Sequence, residues 1–231
     1  MRAGYIFTQA TRLIETYNCD AIISFACGYS MLGFLIAQNV HKDITVVDTD
    51  LDDILQSRES RYQYLPLNES QQSALSQVQH LVFDIEQAYL DQINLASFFK
   101  QYQRPLVILE GITYFLLPNT RDWLITQLRQ WDNACIILEY WPENSFVISN
   151  KIKKSFEADL NKDFKESLHS FMLDSIIEDL KTHYHSSDVG VGEAEATLSE
   201  KANEPSLLID QHEYYPIRIF TGVPKTLISE P

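Results

Sequence analysis

The sequence is poor in glycine and in basic residues. Seven glycines among 231 residues are about 3%, against a usual ~7%. Lys and Arg together number 18 against 32 Asp and Glu, which gives a formal net charge of −14. Such a charge repels polyanions, so the composition argues against general binding to nucleic acid or to an anionic membrane. A small molecule is the expected partner.

Cysteine is also scarce, and no targeting segment is evident. The three cysteines (Cys19, Cys27 and Cys135) are odd in number and widely spaced, which favours buried thiols in a reducing compartment over a disulfide framework. The start Met1–Tyr5 lacks the charged and apolar regions of a signal peptide. These features predict a cytoplasmic protein.

No charged residue occurs between positions 21 and 39, a run about as long as a membrane span. Ser24, Gly28 and Ser30 interrupt this run, and its β-branched residues give way to helix-favouring ones. The run therefore predicts a strand, a turn and a helix rather than a span.

Apolar strands alternate with helical stretches over the first 140 residues. The predicted strands are 21–25, 44–48, 79–83, 105–109 and 134–139, and the predicted helices are 3–17, 30–39, 51–59, 69–77, 88–101 and 119–131. Continuous apolar strands separated by helices are typical of a parallel sheet covered on both faces. The expected fold class is α/β, a doubly wound, mainly parallel sheet in one domain spanning 1–231.

The character of the sequence changes after Trp141. Residues 146–184 are rich in Lys, Glu, Phe and Leu at helical spacing, and 188–204 suggest a loop and a short helix. This predicts a helical cap inserted at 145–204. Strand character returns at 207–209 and 214–220, which predicts an antiparallel pair that completes a seven-stranded sheet.

Three strand ends carry the candidate site, because ligands of open α/β sheets lie beyond the carboxyl ends of the strands. The first strand ends in the small-residue turn Ala26, Cys27 and Gly28, where the backbone can approach a ligand and the following helix favours an anion. The turn lacks the three-glycine dinucleotide fingerprint. A nicotinamide dehydrogenase is therefore disfavoured.

Carboxylates follow the second and third strands. Asp48, Thr49 and Asp50 stand at the end of the second strand, where a carboxylate can accept both hydroxyls of a ribose; Asp48 could instead cap the next helix. Asp84, before Ile85, could accept from an adenine amino group or be an ordinary loop aspartate.

The fourth and fifth strands end in a second polar group. Glu110 and Gly111 directly follow four apolar residues, so the carboxylate needs a pocket or a ligand to solvate it. Tyr114 could offer its hydroxyl to a substrate or its ring to a cation. Tyr140 follows the fifth strand at the same edge. Together the strand ends predict one nucleotide-like ligand.

These residues resemble the class I S-adenosylmethionine-dependent methyltransferases, specifically the leucine carboxyl methyltransferase and polyketide O-methyltransferase family. In that family the turn L-G-x-G-x-D-T-R is followed by E-x-D, D-L and E-G-x-x-x-Y-L. The matching runs here are Phe25-Ala26-Cys27-Gly28-Tyr29-Ser30-Met31-Leu32, Asp48-Thr49-Asp50, Asp84-Ile85 and Glu110-Gly111-Ile112-Thr113-Tyr114-Phe115-Leu116. They extend over about residues 20 to 140.

The resemblance implies a Rossmann-like methyltransferase fold with S-adenosylmethionine as cofactor. The residues that would bind it are Ala26, Cys27, Gly28, Asp48, Thr49, Asp50, Asp84, Ile85, Glu110 and Gly111. By the resemblance Gly28 lies close to the methionine portion, Asp48 binds the ribose, Asp84 and Ile85 flank the adenine, and Glu110, Gly111 and Tyr114 lie near the reactive end. The sequence departs from the pattern because Ala26 replaces the first glycine and the arginine of D-T-R is missing. Arg2 or Arg12 could hold the methionine carboxylate instead.

The activity implied by the resemblance is methyl transfer to a carboxylate or hydroxyl of a small molecule. This reaction needs alignment and exclusion of water more than a strong base, and Tyr114 and Tyr140 are the candidate catalytic residues. No metal is expected, since the His183 and His185 spacing does not match zinc sites. One alternative is attack of the methionine amino group on its own side chain, which releases methylthioadenosine and a cyclic amino acid. Another is a non-catalytic binding protein with the same fold.

Overall fold

A central sheet of seven strands organises the protein. The structure is a computed structural model that describes residues 2–142, 172–202 and 217–228. The strands are β1 (Ala21–Phe25), β2 (Thr45–Asp50), β3 (Gln79–Val82), β4 (Pro105–Leu109), β5 (Cys135–Tyr140), β6 (Tyr184–Gly190) and β7 (Arg218–Pro224). Their spatial order is β3-β2-β1-β4-β5-β7-β6. The first five are parallel, and β7 runs antiparallel to both β5 and β6.

Helices cover both faces of the sheet. Within the described residues they are α1 (Arg2–Tyr17), α2 (Leu32–Ala37), α3 (Asp52–Tyr62), α4 (Glu69–Leu75), α5 (Ile85–Leu90), α6 (Leu95–Phe98), α7 (Pro118–Arg129), α8 (Asp174–His183), α9 (Val191–Ala202) and α10 (Lys225–Ile228).

Alternate residues of each central strand belong to two separate cores. Ile22 and Leu106 pack with α1 and α2 on one face, while Ile23 and Val107 pack with α5 and α7 on the other. Every residue of β1 and of β4 is buried, which explains the continuous apolar runs of these two strands. The sequence-based prediction of a doubly wound, mainly parallel seven-stranded sheet is confirmed.

The uncharged run at 21–39 forms β1, a turn and α2, as predicted. Helix α2 lies so close to β2 that a Cβ added at Gly33 would come within 2.9 Å of the Val46 side chain. Among the residues that the structure describes, no helix is long and apolar enough to cross a bilayer.

The predicted helical cap is wrong over part of its length. Residues 184–190 form the edge strand β6, and the flanking helices α8 and α9 pack on α7 and α1 around the sheet. Strand β6 pairs antiparallel with β7, which includes residues 218–220 of the predicted strand 214–220. Positions 143–171 and 203–216, which hold the rest of the predicted cap and the predicted strand 207–209, lie outside the described residues.

Two boundaries also differ from the prediction. Strand β2 continues to Asp50, two residues beyond the predicted end at Asp48. The single helix predicted at 88–101 is two short helices, α5 and α6, because Gln92 has a φ of 52° and Asn94 caps a new helix. A left-handed residue cannot continue a right-handed helix.

Candidate ligand-binding site

A cavity of about 400 Å³ lies at the carboxyl ends of β1 and β4. Its walls come from the turn after β1, the segment after β4 and the start of α1. The lining residues are Arg2, Ser24 to Ser30, Leu32, Gly33, Ile108, Glu110, Gly111, Tyr114 and Phe115. This volume is within the range of small-molecule sites, roughly 300–1,000 Å³.

The turn after β1 is held by β2. Ala26 and Gly28 have φ angles of 49° and 52°, so Ala26 adopts the left-handed conformation that glycine would adopt readily. The N–H of Cys27 donates to the Thr49 carbonyl at 3.0 Å, and the N–H of Gly28 donates to Asp50 Oδ2 at 2.7 Å. The turn thus keeps a backbone conformation typical of glycine, although Ala26 stands where the family pattern has its first glycine.

Asp48 and Asp50 have different surroundings. Asp48 is 1% exposed, does not line the cavity, and accepts a hydrogen bond from Arg58 Nη2 at 2.6 Å. Burial raises the pKa of the Asp48 carboxyl, against the opposing effect of Arg58. Asp50 is the last residue of β2 and touches the turn through Gly28. Neither carboxylate lines the cavity; Asp50, at 9% exposed, is the less buried of the two and contacts the turn through Gly28.

Arg58 links this ion pair to the cavity wall. Its Nη1 donates to Cys27 Sγ at 2.8 Å, and its Nη2 also donates to the Ser30 carbonyl. Burial raises the pKa of the Cys27 thiol to about 12 despite the nearby guanidinium. Cys27 is therefore a neutral thiol in the wall of the cavity rather than a nucleophile.

The opposite wall carries charged groups. The Arg2 guanidinium lies 3.4 Å from Glu110 Oε1 and 3.2 Å from both carboxylate oxygens of Glu139. The Tyr114 hydroxyl donates to Glu139 Oε1 at 3.0 Å. We call Arg2, Glu110, Tyr114 and Glu139 the Arg2 cluster. Arg12, the other arginine considered from sequence, donates to Gln9 on the surface and does not line the cavity.

Glu139 is a site residue that sequence reasoning missed. It is fully buried in β5, and burial raises its pKa to about 7, against the opposing effect of Arg2. Burial also raises the pKa of the Tyr114 hydroxyl above its usual range. A signal was present, because Glu139 interrupts the apolar run Cys135 to Leu138.

Six of the twelve predicted site residues do not line the cavity: Asp48, Thr49, Asp50, Asp84, Ile85 and Tyr140. Asp84 is exposed and caps α5, where it accepts from the N–H groups of Glu86 and Gln87. Ile85 packs in the core beside it. The Tyr140 hydroxyl donates to Asp188 at 2.9 Å on the far side of β5. The structure thus brings together Ala26, Cys27, Gly28, Glu110, Gly111 and Tyr114 around the cavity, with Asp50 beside them.

Comparison of the sequence with protein-family models and with curated proteins finds no match. Solved structures with a similar fold do exist. A DUF574 family protein from Streptomyces avermitilis MA-4680 aligns with a TM-score of 0.65 at 13% identity, over 97% of this chain and 84% of that one. An O-methyltransferase family protein from Burkholderia thailandensis aligns with a TM-score of 0.59 at 9% identity, over 95% of this chain but only 55% of that one.

A third structure, magnesium protoporphyrin IX methyltransferase from Synechocystis PCC 6803 with bound S-adenosylhomocysteine, aligns with a TM-score of 0.53 at 11% identity, over 94% of this chain and 81% of that one. The seven-stranded sheet of this chain is mostly parallel, with β7 antiparallel to its neighbours. The chain therefore has the Rossmann-like fold of the class I methyltransferases.

Proposed function

We propose that the protein is an S-adenosylmethionine-dependent methyltransferase that acts on a carboxylate or hydroxyl of a small molecule. The observation that carries this proposal is the placement of Arg2 and Glu110 in one cavity wall and of the Gly28–Asp50 pair at the other. The methyltransferase fold supports it. So does the sequence resemblance to carboxyl and hydroxyl methyltransferases, which favours an oxygen acceptor.

The residues around the cavity match the chemistry of this cofactor. Its amino acid portion carries a carboxylate and an ammonium group, for which Arg2 and Glu110 are complementary partners. Its ribose presents two hydroxyls, for which the Asp50 carboxylate is an acceptor. Each Asp50 oxygen already accepts one backbone N–H, from Gly28 or Leu51, and each keeps a further lone pair. In this proposal Asp50 replaces Asp48 as the ribose ligand.

When bound, S-adenosylmethionine supplies a methyl group on a sulfonium, which an oxygen nucleophile can displace. The chain itself orients and shields the reactants. Tyr114 presents its ring to the cavity while Glu139 holds its hydroxyl, and Phe115 packs beside it at a ring centroid distance of 4.8 Å. A rigid aromatic wall excludes water and aligns donor and acceptor, which are the main requirements of this displacement.

Replacing Asp50 by Asn is expected to weaken binding of S-adenosylhomocysteine about fivefold. The amide keeps an oxygen for the Gly28 N–H, but it exchanges a charged acceptor for a neutral one, a difference of roughly 1 kcal/mol. Titration calorimetry measures the effect, with Asp84→Asn as the matched control because Asp84 also accepts two backbone N–H groups but caps α5 and, within the described residues, hydrogen-bonds to no residue that lines the cavity. Unchanged affinity in folded Asp50→Asn protein would contradict the ribose assignment.

Incubation with S-adenosylmethionine should yield S-adenosylhomocysteine only when an acceptor from a panel of small carboxylic acids and hydroxyl compounds is present. Mass spectrometry of the nucleoside product makes this test. If methylthioadenosine forms without an acceptor, faster than the uncatalysed rate, the protein cyclises the methionine chain instead of transferring a methyl group. If S-adenosylmethionine binds but is not converted with any acceptor of the panel, the result would favour a non-catalytic binding protein.

A further inference from the structure

Glu139 is a buried carboxylate that joins Arg2 and Tyr114 behind the cavity wall. It stands in β5 between Leu138 and Tyr140, fully buried, where a carboxylate costs more free energy than an apolar side chain. Its Oε2 has an ionic contact with Arg2 Nε, and a backbone contact with Gly111 favours the ionised carboxylate, but within the described residues no well-formed hydrogen bond reaches Oε2. Buried ionisable groups with unsatisfied atoms beside a cavity are more typical of functional sites than of structural ones.

The Arg2 cluster contains more negative than positive charge. Arg2 comes from α1, and Glu110 and Tyr114 come from the segment between β4 and α7. The neighbour of Glu139 on β7 is the apolar Ile219, so no charge is added from that side. Arg2 can neutralise one carboxylate only. With Glu139 ionised the cluster therefore carries one uncompensated negative charge behind the wall of the cavity.

This charge bears on a difference between two ligands of nearly identical shape. S-adenosylmethionine and S-adenosylhomocysteine share the amino acid, ribose and adenine, but only the first has a positive sulfur. A buried negative charge acts over a longer range than an exposed one, because the protein interior screens it less than water does. Glu139 can therefore favour the sulfonium without touching it.

Resting on the proposed function, we infer that Glu139 is a specificity-determining residue through which the cavity prefers nucleosides with a positive charge at the sulfur position over the neutral thioether. It acts through the charge of the Arg2 cluster. The same preference weakens binding of the demethylated product relative to the methyl donor and so helps the product leave.

The test is calorimetric titration of the wild type and Glu139→Gln with three ligands. These are S-adenosylmethionine, S-adenosylhomocysteine and sinefungin, in which a cationic amine group replaces the methylated sulfonium. We expect Glu139→Gln to weaken both cationic ligands about tenfold and the thioether by less than about threefold. Asp188→Asn, which removes a carboxylate from the Tyr140 and Arg218 contacts away from the cavity, is the matched control and should change none of the three.

The pH dependence gives an independent readout. Burial raises the pKa of Glu139 to about 7, so a rise in pH through this range ionises the carboxyl. The preference of the wild type for S-adenosylmethionine over S-adenosylhomocysteine should therefore rise between pH 6 and pH 8. Subtracting the same curve for Glu139→Gln removes the titration of the ligands themselves, and the difference should report Glu139 alone.

The outcomes separate the two proposals. The inference would be overturned, with the proposed function left in place, if the wild type binds all three ligands, Glu139→Gln loses the same affinity for each, and the preference of the wild type for S-adenosylmethionine does not change with pH. Failure of all three to bind the wild type would overturn the proposed function and the inference with it. Should Glu139→Gln not fold, Tyr114→Phe serves instead. It removes the hydrogen bond that favours ionised Glu139, and it should shift the rise in preference to higher pH.

Discussion

Replacing Asp48 by Ala is expected to lower the free energy of unfolding by about 3–5 kcal/mol. Asp48 and Arg58 are both 1% exposed, and their side chains are joined at 2.6 Å. Removing the carboxylate leaves a guanidinium buried without its counter-charge. The remaining Arg58 contacts, to Cys27 Sγ and the Ser30 carbonyl, carry no full negative charge to replace it.

Equilibrium unfolding in urea measures this change. The double variant Asp48→Leu, Arg58→Met is the informative control, because replacing both members of a buried pair by apolar residues is often neutral or stabilising. It should recover most of the lost stability. An Asp48→Ala protein as stable as the wild type, but with weakened nucleoside binding, would restore Asp48 as the ribose ligand.

The ion pair also explains why the predicted end of β2 at Asp48 is two residues too early. The apolar run of β2 stops at Val47, so the sequence pattern predicts a strand end at the first polar residue. In the structure the ladder with β1 reaches Asp48 and the ladder with β3 reaches Asp50. A charged residue can lie inside a buried strand here because Arg58 approaches it from α3, and strand periodicity carries no information on that contact.

Strand β6 was missed for the opposite reason. Among the residues that the structure describes, Tyr184–Gly190 pairs only with β7, and its residues from His185 to Ser187 are exposed. An exposed edge strand needs no apolar run, so this polar stretch resembled a loop. The buried central strands β1 and β4, by contrast, could be predicted to the residue from their continuous apolar sequences.

The site itself was partly predictable. Turns that directly follow buried strands place Gly28 and Glu110 at the sheet edge, and the sequence identifies both. The Arg2 cluster joins residues separated by up to 137 positions, so its existence depends on how α1 packs across the sheet. Sequence analysis could name Arg2 as one of two candidates, but only the fold brings it to Glu110 and Glu139.

Replacing Arg2 by Ala is expected to weaken binding of S-adenosylhomocysteine about 100-fold or more. In the proposed function Arg2 binds the ligand carboxylate. Two charge-assisted hydrogen bonds at about 1.5 kcal/mol or more each amount to roughly 3 kcal/mol. The loss should be larger than for Asp50→Asn, because Glu110 and Glu139 would then face the ligand carboxylate without a cation between them.

Methylthioadenosine separates this role from a structural one, because it keeps the nucleoside and lacks the amino acid portion. Calorimetry should show that Arg2→Ala binds methylthioadenosine as the wild type does, and that Arg2→Lys recovers part of the affinity for S-adenosylhomocysteine. An equal loss for both ligands would mean that Arg2 only holds Glu110 and Glu139 in place. In that case the cavity wall, rather than the bond to the ligand carboxylate, would account for the effect, and the amino acid portion would need another partner.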